Sequence, residues 1–269
     1  MAGGMPVGLQ WGGPQSIGAV VASSAGTLVT DSGTAGTKGA WAQLTGSTLY
    51  DITWLAISIT SQASFLTTAF VDIGIGAAGS EMVVISNLML SITGDDPAPA
   101  QYVLPVYIPA KTRIAARCMS ANGSNNVAVA ISAWDGAMQS AAPVSAIDTI
   151  GITGTTPTAV STPATGAVGA YVQLVASTAN DYSGFLLGLT SSQIGLVAWI
   201  DVAVGVSGSE KLILPSYHIT WDNAGCMVPR NSFYIPTPIR AGSRVAARIG
   251  SEYTQTAGTV GVSMYGVRQ

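Results

Sequence analysis

The sequence predicts an all-β chain of two tandem homologous β-sandwiches, jelly-roll-like, behind an extended N-terminal arm. Three observations predict it: blocks of residues recur at a nearly constant spacing, apolar residues alternate with small or polar ones, and no long stretch has helical periodicity with caps.

The recurrence comes first because it sets the boundaries. Gly39-Ala40-Trp41-Ala42-Gln43-Leu44 returns as Gly169-Ala170-Tyr171-Val172-Gln173-Leu174. Phe70-Val71-Asp72-Ile73 returns as Trp199-Ile200-Asp201-Val202, and Gly79-Ser80-Glu81 as Gly208-Ser209-Glu210. Ile108-Pro109-Ala110-Lys111-Thr112-Arg113-Ile114-Ala115-Ala116-Arg117 matches Ile239-Arg240-Ala241-Gly242-Ser243-Arg244-Val245-Ala246-Ala247-Arg248. Val129 to Trp134 is paired with Val260 to Tyr265. Residues 1–35 find no counterpart and read as the arm. Residues 36–142 form the first domain and 166–269 the second. Residues 143–165, rich in Thr, Gly, Pro and Ala, read as an extended linker.

Each unit then reads as strands. Ile52 and Trp54 flank Thr53, Ile73 and Ile75 flank Gly74, and Val127, Val129 and Ile131 alternate with Ala128 and Ala130. Roughly eight such runs per unit, separated by Gly, Asn and Pro, suit a sandwich or jelly roll. Asn122-Gly123 signals a hairpin turn. Residues 52–71 carry no charge, but eight Ser, Thr and Gln residues interrupt them, so a membrane-spanning helix is not expected. No basic segment precedes an apolar run near the start, and no secretory signal is expected.

Composition bounds the function. Of 269 residues, 10 are Lys or Arg and 13 are Asp or Glu; charged residues make up 9%, against about a quarter in an average domain. A net charge of −3 supplies no basic field for nucleic acid or an anionic membrane. One His and two Cys argue against a histidine-based metal site and a disulfide framework. No cofactor is expected. Gly74-Ile75-Gly76-Ala77-Ala78-Gly79 matches a dinucleotide fingerprint, but a strand pattern follows it where a helix is needed, so a turn is expected. His218, Cys118, Cys226 and Asp95-Asp96 have no partners at repeated positions and carry no catalytic or metal expectation.

The repeated charges are the sharper candidates. Asp51/Asp181, Asp72/Asp201, Glu81/Glu210, Arg113/Arg244 and Arg117/Arg248 place ten of the 23 charges at matched positions. Period two puts Arg113 and Arg117 on one face of a strand. They pair with Asp72 or Glu81 on adjacent strands, or they face carboxylates of another subunit; Arg244, Arg248, Asp201 and Glu210 repeat the choice. Trp41/Tyr171, Phe70/Trp199 and Trp134/Tyr265 read as packing pairs. Trp11, Trp54 and Trp221 lack aromatic counterparts and are candidate surface contacts, including a sugar platform.

The stretch Tyr107 to Arg117, repeated in a low-charge all-β chain with an apolar arm, resembles structural proteins of tailed bacteriophage particles. That resemblance implies a non-enzymatic virion component, assembled in the host cytoplasm. It implies a capsid decoration (cement) protein first, and a tail or fibre part second. The implied partners are the major capsid protein or other virion subunits, with a homo-oligomer expected and a trimer favoured. A carbohydrate-binding or adhesin module is the competing class, and it would use Trp54 and Trp221.

Overall fold

A computed structural model describes residues 12–19, 25–61, 67–92, 99–123, 126–135, 146–163, 166–191, 197–221, 227–228, 231–251 and 258–268. Among them every regular element is a strand, and no helix is long and apolar enough to cross a membrane. The uncharged stretch that begins at Ile52 is a strand through Ser61.

The first half contributes β1 (Gly12–Ile17), β2 (Thr27–Thr30), β3 (Ala42–Thr45), β4 (Ile52–Ser61), β5 (Thr67–Ile75), β6 (Met82–Ile92), β7 (Ala100–Ile108), β8 (Ile114–Ser120) and β9 (Asn126–Asp135). The second contributes β10 (Ile147–Ile150), β11 (Ile152–Thr153), β12 (Thr156–Ser161), β13 (Val172–Val175), β14 (Tyr182–Ser191), β15 (Val197–Val204), β16 (Lys211–Trp221), β17 (Met227–Val228), β18 (Asn231–Phe233), β19 (Val245–Ser251) and β20 (Thr259–Arg268).

Alternation decides which side of each strand is buried. In β4, Ile52, Leu55, Ile57 and Ile59 are fully buried while their neighbours are half-exposed. They meet Val71, Ile73, Ile114, Ala116 and Cys118 of β5 and β8 in one core. The second half repeats this. Phe185, Leu187 and Leu189 of β14 and Val260, Val262 and Met264 of β20 meet Ile200, Val202, Val245 and Ala247. In each half, therefore, two layers of strands enclose a core.

Two boundaries read from the sequence are corrected. Residues 1–35 are not a separate arm over their described parts: β1 and β2 both pair with β9, and Ile17 and Val29 lie in the first core. Residues 143–165 are not a plain linker, because β10 and β12 pair with β20 and place Ile150 and Val160 in the second core. These segments are counterparts. Gly18 and Gly151 have φ of 83° and 81°, and each backbone carbonyl accepts from the hydroxyl of Thr27 or Thr158 at 2.9 or 3.0 Å. A side chain at either glycine would meet the carbonyl oxygen of Val129 or Val262. The duplication thus spans nearly the whole described chain.

The last matched block is also corrected. Thr27 pairs with Val129, and its counterpart Thr158 pairs with Val262 rather than Val260. The true register is two residues later, so Ser132, not Trp134, corresponds to Tyr265, and Trp134 corresponds to Val267.

The halves are fused. β18 pairs in parallel with β7, and β10 touches β6 in parallel at Ile147–Ile85. The sheet formed by β10, β14 and β20 buries its own core on one side; on the other, Ile147, Leu186, Tyr265 and Val267 join the first core. Tyr265 anchors the seam. Its hydroxyl accepts from the Met89 amide at 2.8 Å and donates to the Asn87 carbonyl at 3.0 Å. Its ring meets Tyr102 edge-on at 5.5 Å.

Candidate functional site

The repeated charges form two matched sets, and both close within the chain. Arg113 Nη1 donates to Glu81 Oε1 at 2.8 Å and to the Gly76 carbonyl at 3.2 Å, while its Nε reaches Gln43 at 3.0 Å. Arg244 repeats every contact, to Glu210 and Gly205 at 3.1 Å each and to Gln173 at 3.1 Å. The arginine fastens the β5–β6 turn, or the β15–β16 turn, to the edge strand beyond β8 or β19. That explains Gly76 and Gly79, with φ of 110° and 81°: they shape a turn between strands.

The second set surrounds a buried carboxylate. Asp72 is 3% exposed and lies where the β5–β6 register slips between Val71 and Ile73. The slip leaves Asn87 at φ 53°, and its amide donates to Asp72 Oδ1 at 2.9 Å. Asp201 does the same for Ser216, at φ 48° and 2.8 Å. Arg117 Nε meets Asp72 Oδ2 at 2.9 Å, and Arg248 meets Asp201 at the same distance. Each guanidinium lies 4.6 Å from the ring centre of Trp41 or Tyr171. The sets differ in one cation. Lys38 Nζ adds a 2.8 Å pair to Asp72, whereas the matching region of the second half holds Val168 before the shared Gly169-Ala170. Burial pulls the Lys38 pKa down, against Asp72, which holds it up.

Of the two readings of these arginines, the structure therefore shows the intrachain pairs. The Pro109-to-Arg113 motif is likewise a clamp. Asp51 accepts from the Ala110 amide and Asp181 from the Ala241 amide, both at 2.7 Å. The Thr48 and Thr178 hydroxyls accept from the Thr112 and Ser243 amides. The aromatic at one repeated position changes size with the residue it faces, Phe70 opposite Met119 and Trp199 opposite Gly250. Phe70 packs with Met119 in one. Trp199 lies over Gly250 in the other, where an added Cβ would come within 2.2 Å of the indole.

The remaining candidates separate. Trp54 is half-buried and meets Tyr234 edge-on at 6.4 Å. His218 is exposed on β16. Cys118 is buried, and desolvation pushes its thiol up to about 12, which removes it as a nucleophile near neutral pH. Trp11, Cys226, Asp95, Asp96 and the side chain of Trp221 lie outside the described residues. Among the described residues no three His, Cys, Asp or Glu side chains gather to hold a metal ion. Sequence reading missed the Asp148–Arg268 pair, in which Asp148 also accepts from Asn180 at 2.7 Å and Tyr182 at 3.1 Å. The position matching Asp148 holds Gln15, which accepts from the Leu49 amide, so no repeated charge marked it.

These carboxylates give a pH expectation. Burial raises the Glu81 pKa, but its backbone hydrogen bonds and Arg113 outweigh that and hold it low. Backbone hydrogen bonding and Arg244 lower Glu210 against desolvation. At Asp148, burial is outweighed by Arg268 and Asn180. In the unfolded chain these groups titrate at about 4.3 for Glu and 3.9 for Asp. The folded form therefore binds fewer protons there, and its stabilisation is complete above those values and lost as pH falls through the lower folded ones. Urea midpoints should be level from about pH 7 to 5 and fall below about pH 4. The Glu81→Gln/Glu210→Gln double variant should show a shallower fall; an equal slope would contradict the assignment.

No protein-family profile matches the chain, and no curated protein matches its sequence.

Proposed function

We propose that this chain is a non-enzymatic structural component of a virus particle. Its first role is a capsid decoration (cement) protein of a tailed phage, built as two tandem jelly-roll-like sandwiches and acting as an oligomer. The observation that carries this reading is the fate of the charges. The eight repeated Asp, Glu and Arg side chains of these ion pairs are spent on one another inside the chain. Few other charges stand on the described exterior, Asp51, Lys111, Asp181, Lys211 and Arg240 among them, and large apolar side chains stand out of it. Leu49 is 77% exposed, Val206 70%, Met82 60%, Phe233 56% and Leu28 53%. So little charge with that much exposed apolar surface favours association over a free monomer. Two similar units in one chain can also hold two neighbouring subunits at high effective concentration.

The test is reconstitution. Purified chain added to particles lacking it should cosediment at a fixed, saturable ratio and raise their rupture temperature. Absence of binding to particles, or saturable binding to a glycan lost on Trp54→Ala, would overturn it in favour of a carbohydrate-binding module.

A further inference from the structure

The seam between the halves is a half-used interface. The equivalent strands β7 and β18 run parallel and adjacent, so the rotation relating the halves has its axis close to the strand direction. A two-fold would have buried both symmetry-related seams within the chain. Only one is buried. In the first half, β6 lies under the second half: Ile85, Leu88 and Met89 are 0–2% exposed and Tyr102 is 4% exposed. Their register counterparts on the second half are Leu214, Tyr217, His218 and Phe233. All four are half-buried or exposed, and Phe233 reaches 56%.

The other side of the seam has the same asymmetry. Ile147, Leu186 and Tyr265 are 3%, 0% and 0% exposed. Their counterparts in the first half are Pro14, Ala56 and Ser132, exposed, half-buried and exposed. β10 has β20 on one edge and β6 on the other, whereas its counterpart β1 has a described strand partner only in β9.

We infer that the chain associates head to tail with further copies of itself: β16 and Phe233 of one copy receive β1 and the β4–β9 face of the next, as β6 and Tyr102 receive β10 and the β14–β20 face within a copy. The two surfaces, on β16 short of the Thr220–Trp221 end that β17 already pairs, are the two halves of an interface the chain already makes once. Each copy carries one of each, which is what a heterologous, ring- or filament-forming contact requires. In the new contact Phe233 faces Ser132 where the seam has the Tyr102–Tyr265 pair. One ring replaces two, and the Ser132 hydroxyl is the only one that this pair brings. The inference rests on the duplication, not on the virion reading.

Mixing half-blocked chains tests it. Light scattering on size-exclusion fractions should show wild-type chain as an oligomer, and Phe233→Asp and Ser132→Arg each as monomers with a near-wild-type melting temperature. Phe233→Asp keeps its β1 side and Ser132→Arg keeps its β16 side, so an equimolar mixture should form a species of twice the monomer mass and nothing larger. Phe233→Ser replaces the Asp variant if that fails to fold. A monomeric wild type at every soluble concentration overturns the inference, as do variants that still assemble alone or a mixture that stays monomeric. Particle binding by a monomeric wild type would sink this contact and the oligomer, and leave the virion role standing.

Discussion

Replacing Tyr265 by Ala lowers the unfolding free energy by about 4 kcal/mol, in the range for large aromatic truncations in a core. The ring is fully buried and belongs to the first half's core although the residue belongs to the second half. Its loss opens a cavity beside Tyr102 and strands the buried Met89 amide that its hydroxyl accepts from. Tyr265→Phe separates the two effects. It keeps the ring and orphans the amide, at about 1–3 kcal/mol. Urea unfolding followed by tryptophan emission reads both. Because the seam couples the halves, the Ala variant should also split one transition into two, the half retaining its own core unfolding last. A single transition shifted by less than about 1 kcal/mol would mean that Tyr265 is not the anchor.

Asp72→Ala should cost about 3–5 kcal/mol, the range for leaving buried charge uncompensated. Its carboxylate is 3% exposed and holds Lys38, Arg117 and the Asn87 amide together. Without it two cations face each other with no counter-charge. Asp201→Ala should cost less, about 1–3 kcal/mol, because Asp201 pairs with one arginine whose side chain is 32% exposed. The double variant Lys38→Met/Asp72→Ala should recover part of the loss, since one of the stranded cations is gone. Equal costs for Asp72 and Asp201 in urea titrations would show that the Lys38 pair adds nothing.

Much of this was legible because the repeated arginines sit at period two on strands whose alternation is plain. Arg113 and Arg117 could be put on one face from the pattern alone, with Glu81 or Asp72 on adjacent strands as one of two choices of partner. The bulge was not legible. A register slip between Val71 and Ile73 has no residue signature, so the amides that Asp72 and Asp201 cap were invisible.

The two-residue error at β20 has a simple origin. In Val-Ala-Ile-Ser against Val-Gly-Val-Ser, a shift of two keeps every side chain on its own face, so the pattern does not distinguish the registers. The N-terminal strands were hidden for the opposite reason. Gly12–Ile17 and Ile147–Ile150 share little beyond one isoleucine, and what is kept is pairing geometry and the left-handed glycine after the strand. The seam was out of reach too, because its key residue has Ser132 as its counterpart. Divergence there is what one used and one open interface would leave behind.

Amide hydrogen exchange reads whether the chain is one unit used twice with the second seam left for another copy. Wild-type chain and Phe233→Asp would be compared at the same concentration. β6 should be protected in both, whereas the amides of β16 and β1 that do not pair with β15 or β9 should be protected in wild type and exchange quickly in the variant. Fast exchange of those β16 amides in wild type at assembling concentrations, unchanged by the substitution, would contradict this use of the second seam.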